Sequence, residues 1–592
     1  MSGALPHTCL KAVDKDPHRW APGPRRGKRH PAPDQVRAAY PGLDRFLGVR
    51  RRPDPHGVFL NDHFHQLFDV ADARRGAPRP VPQHHGATMT PTVSREGQQF
   101  IAGRRRRGGS TTELNVIDPS NGTLVAEDTH ASTADVDEAV AAARTAFPEW
   151  SRATPAERSA LMHRLAAELD AVAPELASLE SRQGGKPIKL AEGFDIPGTI
   201  DNAAFFAGAA RDLSGKSAGE YSGEHTSSIR REPIGVIGSI SPWNYPFQMA
   251  GWKILPAIAA GNTIVLKPAE LTPCTSVAFA EAASRAGIPD GVINIVTGKG
   301  STVGAHLTGH PDVDMISFTG STPVGRRIAA AAAATTKRLH LELGGKAPFV
   351  VFDDADLEAA ARGAVAGALI NAGQDCTAAT RAYVQRPLYD AFVDRVAELM
   401  RQVSVGPADD PATDLGSLIS GDHRDRVAAM VDRARRDGAE VVTGGQAATG
   451  ELAAGAYYLP TLIVDADQRS EIVQDEVFGP VLTALPFDDD TEALALANDT
   501  RYGLAASAWT SSVFRAQHAS AEIAAGCVWI NDHIPIISEM PHGGYKASGY
   551  GKDMSTYALD DYTQIKHVMS ASRPTAAKSW HELVAASMGK NA

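Results

Sequence analysis

Gly235-Val236-Ile237-Gly238-Ser239-Ile240 opens the stretch that decides the fold, and Phe247 to Ala259, Thr263-Ile264-Val265-Leu266 and Thr275 to Ala286 carry it on. The short β-branched runs read as strands, and the longer segments between them, apolar at helical spacing, read as helices. Val292-Ile293-Asn294-Ile295-Val296 and Met315-Ile316-Ser317-Phe318 extend the alternation. Strand, helix, strand at this spacing predicts a parallel sheet with helices on both faces. A second series runs from Ala347 to about Leu485, and Cys527-Val528-Trp529-Ile530-Asn531 returns as a late strand ahead of Gly543-Gly544-Tyr545-Lys546. The fold class is therefore α/β, with two doubly wound units.

Upstream, Ser110 to about Ala126 reads as paired short strands around the turn cluster Asp118-Pro119-Ser120-Asn121-Gly122. Helices follow from Thr133 to Phe147, opened by a capping box of Ser132 and Asp135, and from Pro155 to Ala171. Residues 1–88 differ in kind: they are dense in Pro, Arg and His, with little apolar periodicity. Such a segment cannot bury enough apolar surface to offset its ordering entropy. It is expected to be a disordered extension, or untranslated if synthesis starts at Met89. His63, His65, His84 and His85 lie in it, but nothing positions them as metal ligands, and no metal site is expected.

The bulk numbers set outer bounds. At 592 residues the chain exceeds what one core supports, so several domains are expected. A net charge of -10 argues against a nucleic-acid partner. No run of about 18 apolar residues predicts a membrane span. The four cysteines, Cys9, Cys274, Cys376 and Cys527, are spaced for neither zinc nor a disulfide framework, which points to a reduced, cytoplasmic setting.

Cys376 sits in Asn371-Ala372-Gly373-Gln374-Asp375-Cys376-Thr377, a polar loop rather than the apolar run that buries an inert cysteine. Glu342, in Leu341-Glu342-Leu343-Gly344-Gly345-Lys346, lies at a strand end, where partial burial would raise its pKa and suit it to general-base work. Gly320-Ser321-Thr322-Pro323-Val324-Gly325 follows a strand and precedes a helix, an arrangement that turns N–H groups toward an anion. It is not the G-x-G-x-x-G fingerprint. Each motif alone is weak.

In order along the chain, Pro242-Trp243-Asn244-Tyr245-Pro246, Lys267-Pro268-Ala269-Glu270, Phe318 to Thr322, Leu341 to Lys346, Gly373 to Cys376 and Glu476-Val477-Phe478-Gly479-Pro480 resemble the aldehyde dehydrogenase superfamily. The resemblance spans about residues 112–568. It implies an aldehyde dehydrogenase-like fold: a dinucleotide-binding domain over 112–215 and 235–344, a catalytic domain over 345–547, and a small β oligomerisation arm over 216–234 and 548–570. It implies NAD as cofactor and a homo-oligomer, tetramer or dimer. Cys376 becomes the nucleophile, Asn244 an oxyanion donor with the Cys376 N–H, and Glu342 the base that hydrolyses the thioester. Lys267 and Glu270 match ribose-binding positions, and a carboxylate at Glu270 would repel a 2′-phosphate, favouring NAD over NADP. Gly320 and Ser321 match the pyrophosphate turn, Trp243 the cleft wall, and Glu476 and Phe478 the nicotinamide end.

Ser228 to Pro233, Asn371 to Ala378, Ser538 to Gly544 and Tyr562 to Met569 are closest to the aminoaldehyde branch, in particular γ-aminobutyraldehyde dehydrogenases. That resemblance implies an aldehyde substrate with a cationic end, for which Tyr245 and Trp252 offer aromatic faces and Asp375 and Asp201 a carboxylate. Betaine aldehyde and succinic semialdehyde remain open as substrates, as does a non-catalytic binding protein on the same fold. Gly185 and Ala269 depart from common family wording without touching the proposed chemistry.

Overall fold

The computed structural model describes residues 94–213, 215, 218–572 and 579–584. The expectations for residues 1–88, including the four histidines and the start at Met89, lie outside the described residues.

Strands β1 (Gln99–Ile101) and β2 (Arg104–Arg106) come first, then the hairpin β3 (Glu113–Ile117) and β4 (Leu124–Thr129). Helix α1 (Thr133–Trp150) begins on the Ser132–Asp135 capping box. It runs past Phe147 and through Pro148, beyond the end expected from the sequence. Trp150, 2% exposed, buries the last turn and offsets the cost of a proline there. Helices α2 (Pro155–Ala171), α3 (Ala173–Gly184) and α4 (Ile196–Ala209) follow, then strands β5 (Gly219–Ser222) and β6 (His225–Pro233).

The alternating stretch folds as β7 (Val236–Ile240), α5 (Pro246–Ala259), β8 (Thr263–Lys267), α6 (Cys274–Arg285), β9 (Ile293–Ile295), β10 (Met315–Thr319), α7 (Thr322–Ala333) and β11 (Arg338–Glu342). The second series holds β12 (Ala347–Val351), α8 (Leu357–Leu369), β13 (Ala379–Gln385), α9 (Arg386–Gln402), α10 (Gly421–Arg436), β14 (Glu440–Thr443), β15 (Thr461–Val464) and β16 (Val481–Phe487). It continues through α11 (Asp490–Asn498), β17 (Ala505–Trp509), α12 (Val513–Glu522) and β18 (Cys527–Ile530), before β19 (Gly549–Tyr550) and β20 (Thr563–Ala571).

The first sheet has the order β19-β11-β10-β7-β8-β9-β1-β2, parallel from β11 to β9. Strands β1 and β2, which the Arg104-to-Arg107 run hides in the sequence, extend it antiparallel beyond β9. Burial on both faces is visible within one strand: Ile264 and Leu266 pack with α2, α4, α5 and α6, while Val265 packs with α1. The second sheet, β14-β15-β16-β13-β12-β17-β18, is parallel except at β14. Its core joins Phe349, Tyr383 and Leu482 to α8, α9 and α10. A third sheet, β20-β6-β5, pairs β6 with β20 over nine residues from Pro233↔Thr563 to His225↔Ala571.

Candidate active site

The first sheet's chain order reverses between β7 and β10: from β7 it winds out through β8 and β9, then crosses back to β10 and β11. Such a switch point opens a crevice beyond the strands' carboxyl ends, because the two connecting loops part in opposite directions. Pro242, Trp243 and Asn244 follow β7 there, and Gly320 and Ser321 follow β10. The second sheet faces the crevice with loops that precede its strands. Cys376 leads into β13 and Glu476 to Phe478 into β16. Together these loops line a cavity of about 340 Å³, with Tyr245, Trp252, Asp375 and Arg426 among its walls. Glu342, Lys267, Glu270 and Asp201 are not on that wall.

The cysteine loop is built from uncommon backbone. Asn371, Ala372 and Gly373 are consecutively left-handed, with φ of 49°, 56° and 69°. At Gly373 only a glycine fits, since a Cβ would stand 2.1 Å from the Gly479 carbonyl. Asp375 closes the turn: its carboxylate accepts from Thr377 N and Thr377 Oγ1, each at 2.6 Å, and from the Tyr245 hydroxyl at 2.7 Å. The buried His533 braces it, Nε2 donating to the Thr377 carbonyl at 2.8 Å while Nδ1 accepts from Ser507 Oγ at 2.9 Å. Asn244 Nδ2 donates to the Gln374 carbonyl at 2.9 Å, while Oδ1 is buried without a partner. Asn371 returns the tie by donating to the Asn244 carbonyl at 2.8 Å.

Cys376 is half-buried at the cavity wall. Burial, with Asp375, Glu476 and Glu342 around it, pushes its thiol well above the ordinary range. The loop follows the C-terminal end of α8, so no helix N-terminus is there to draw the thiolate out. Glu342 ends β11 at 3% exposure with neither carboxylate oxygen bonded. Burial lifts it to about 7, and His542 opposes that rise. Glu476 is likewise lifted to about 7 by burial, while its Oε1 accepts from the Gly345 N–H at 2.9 Å.

On the other side of the crevice, α7 starts at Ser321 with no side-chain cap. Pro323 has no N–H and the Val324 N–H is taken by the Ser321 carbonyl at 3.0 Å, which leaves the Thr322 N–H as the open donor of the first turn. Thr319 Oγ1 beside it is buried and unpartnered. Lys267 ends β8, donating to the Pro268 carbonyl at 2.8 Å and lying 3.4 Å from Glu270 Oε2. The Trp243 and Phe478 rings meet edge-on at 5.3 Å.

Sequence reading passed over three residues. His423 packs its ring on Trp243 at 5.4 Å and donates to the Phe478 carbonyl at 2.7 Å. Arg426, one turn further along α10, hydrogen-bonds the His423 ring and reaches the cavity. His542 lines the cavity from a loop. Residues that carry function through a helix face or a loop leave no motif, and only their polarity beside apolar neighbours could have marked them.

Beneath Tyr245, the buried Lys186 lies 4.0 Å from the ring centroid and pairs with Asp195, with Glu180 at 3.9 Å. Asp201 lies outside the main cavity, on α4, and accepts from Ser538 Oγ. It lines an adjoining pocket with Asn202 and Glu539, which shares Phe194, Gln248 and Ile536 with the main cavity. Asn202, 3% exposed, has Oδ1 unpartnered there. Among the described residues no group of acidic, cysteine or histidine side chains is placed to hold a metal, and no helix is long and apolar enough to cross a membrane.

Two doubly wound lobes that meet over a half-buried thiol define the class: a dinucleotide-type oxidoreductase. The chain belongs to the aldehyde dehydrogenase family, which it matches over residues 106–568. It is 39% identical over 492 residues to the DhaS protein of Bacillus subtilis (strain 168), across 81% of this chain and 99% of DhaS. A solved structure from Burkholderia cenocepacia is 42% identical, with a TM-score of 0.80, covering 82% of this chain and 99% of its own. The NAD+ complex of an aldehyde dehydrogenase from Bacillus cereus is 38% identical, with a TM-score of 0.79, covering 81% and 97%.

Proposed function

We propose that the protein oxidises a small ω-aminoaldehyde, 4-aminobutyraldehyde or a near relative, to the carboxylate with NAD. The observation that carries the substrate class is the acceptor-rich pocket next to the main cavity: Asp201, Glu539 and the bare Asn202 Oδ1 offer negative charge and lone pairs with no cation to meet them. An ammonium group, three donors and no acceptor, is the complement. Tyr245 and Trp252 give the aliphatic stem aromatic walls, and Asp375 adds a carboxylate near the thiol.

The chain's own residues divide the work. Cys376 attacks the aldehyde carbon as its thiolate, the thiol proton having passed to solvent in the cavity. The Asn244 amide has a second N–H beyond the one held by Gln374, and this N–H, with that of Cys376, takes the oxyanion. NAD, when bound, supplies the hydride acceptor that turns the hemithioacetal into a thioester. The site fits it: the uncapped start of α7, Thr319 Oγ1 and Ser321 suit the pyrophosphate, Lys267 and Glu270 the adenine ribose, and Trp243, Glu476 and Phe478 the nicotinamide end. Glu342 then draws a proton from water, which attacks the thioester and releases Cys376. Residues 112–215 and 235–344 form the dinucleotide domain and 345–547 the catalytic domain in this reading. The arm, with Tyr221, Ile565 and Met569 exposed on it, docks a second copy to give a dimer or tetramer. Three free cysteines among the described residues suit a reducing, cytoplasmic setting.

The test is NADH production with 4-aminobutyraldehyde, 3-aminopropionaldehyde, betaine aldehyde, succinic semialdehyde and hexanal. The expected result is the highest kcat/KM on 4-aminobutyraldehyde, with Asp201→Asn raising KM for it and leaving hexanal unchanged. Preference for betaine aldehyde or hexanal overturns the substrate. No NADH with any of them overturns the chemistry and leaves a binding protein on this fold.

A further inference from the structure

Glu342 and His542 face one another with their polar atoms bare. Both Glu342 oxygens and His542 Nδ1 are buried without a hydrogen-bond partner, at residue exposures of 3% and 7%. Nδ1 stands 3.7 Å from Glu342 Oε2, just outside bonding range, so a shift of under an ångström closes the contact. Each is left without another polar partner, and a dry carboxylate facing a dry imidazole is satisfied by one proton held between them.

The surroundings keep the two aimed at each other. His542 and Asp553 exchange backbone hydrogen bonds of 2.8 Å in both directions. The Trp252 indole packs on the His542 ring at 5.0 Å. Gly543 is pressed so close that a Cβ there would stand 2.7 Å from Glu342 Oε1. His533 makes the contrast, because both of its nitrogens are spent on Thr377 and Ser507 and it serves as a brace.

We propose that His542 is the proton partner of Glu342, a positioning residue whose Nδ1 shares one proton with the carboxylate and sets its charge and aim during thioester hydrolysis. This rests on the reading of Glu342 as the base. In the step, water's oxygen bonds the thioester carbon, the C–S bond breaks to leave the Cys376 thiolate, and water's proton passes to Glu342. Nδ1 keeps the shared proton as the donor that aims the carboxylate, and Glu342 releases the proton it took from water to solvent through the cavity that His542 lines.

Other charges around the pair leave it room to act. Lys253 on α5 holds Asp553 at 2.8 and 3.1 Å, so their opposite charges largely cancel at Glu342. His340, 3.7 Å from Asp553, is kept neutral by burial and by Lys253. The Lys552 ammonium is spent on the Gly543 carbonyl. Cys376 and Glu476 approach from the second lobe.

The experiment is a pH profile of steady-state turnover on the full enzyme, with the pre-steady-state NADH burst counting competent sites. His542→Phe keeps the ring against Trp252 and removes both nitrogens, and His542→Asn restores one N–H without a titrating group. With burial at Glu342 no longer opposed, the acid limb near pH 7 moves up by about one unit in His542→Phe, so turnover at pH 7 falls about fivefold and recovers on the alkaline side. The burst stays at one NADH per site, and His542→Asn regains much of the loss at pH 7. An unmoved acid limb, or a loss equal at every pH, overturns the proposal. Glu342→Gln separates the two readings: it should give the burst and then stall. Continued turnover in Glu342→Gln removes Glu342 as the base, and this inference with it.

Discussion

The two lobes present opposite ends of their sheets to one crevice. The first offers loops that leave β7 and β10, where α7 begins without a side-chain cap. The second offers loops that enter β13 and β16, downstream of the C-terminal end of α8. One lobe therefore brings the positive end of a helix, suited to phosphate, and the other a negative end, which does nothing to ionise a thiol. A protein needing both an anion cradle and a protonated resting thiol obtains them from one fold type by turning one copy around. Burial and the carboxylates around Cys376 hold its thiol above the ordinary range.

That division can be broken at chosen points. Cys376→Ala should remove turnover on the order of 10⁴-fold or more while leaving NAD affinity unchanged by calorimetric titration. Altered NAD affinity would show that the lobes are not separable. Asn244→Ala should cost about 10²–10³ in kcat. Asn244 follows a first-lobe strand yet donates to the second lobe's cysteine loop, so it is the residue most able to blur the boundary. A loss confined to NAD binding would return it to the first lobe. Glu270→Gln should act on the first lobe alone, raising the NADP-to-NAD ratio of kcat/KM about tenfold, equivalent to about 1.4 kcal/mol, with the order of aldehydes unchanged. An unchanged ratio would remove Glu270 from cofactor choice.

The sequence disclosed what periodicity and caps can carry. The α1 start was legible because Ser132 and Asp135 satisfy each other's backbone, and α2 because proline opens it. The end of α1 was not, because burial of Trp150 overrides the proline signal and burial is a tertiary fact. Strands β1 and β2 escaped for a similar reason: Arg105 and Arg106 lie in a strand because Glu281, Asp135 and Glu138 pair with them. At the site, Cys376 and Glu342 stood in ordered motifs. His542 stood within a quoted stretch, yet its pairing joins residues two hundred positions apart and no spacing rule encodes it.

The pairing of β6 with β20 has a consequence for how the chain is made. Arg231 on β6 meets Thr563 near the start of β20, 332 residues later, and Asn262 reaches the Tyr562 carbonyl. Strand β19 closes the β11 edge from the same late segment. On the ribosome the first lobe is translated early but waits roughly 20–60 s for the strands that cap it. Through that interval the edges of β6 and β11 stand open to other nascent chains, and the second lobe must fold as an insert inside an unfinished neighbour. The order of synthesis therefore makes the tail, whose β19 pairs with β11 at Glu342, the last lock on the first lobe.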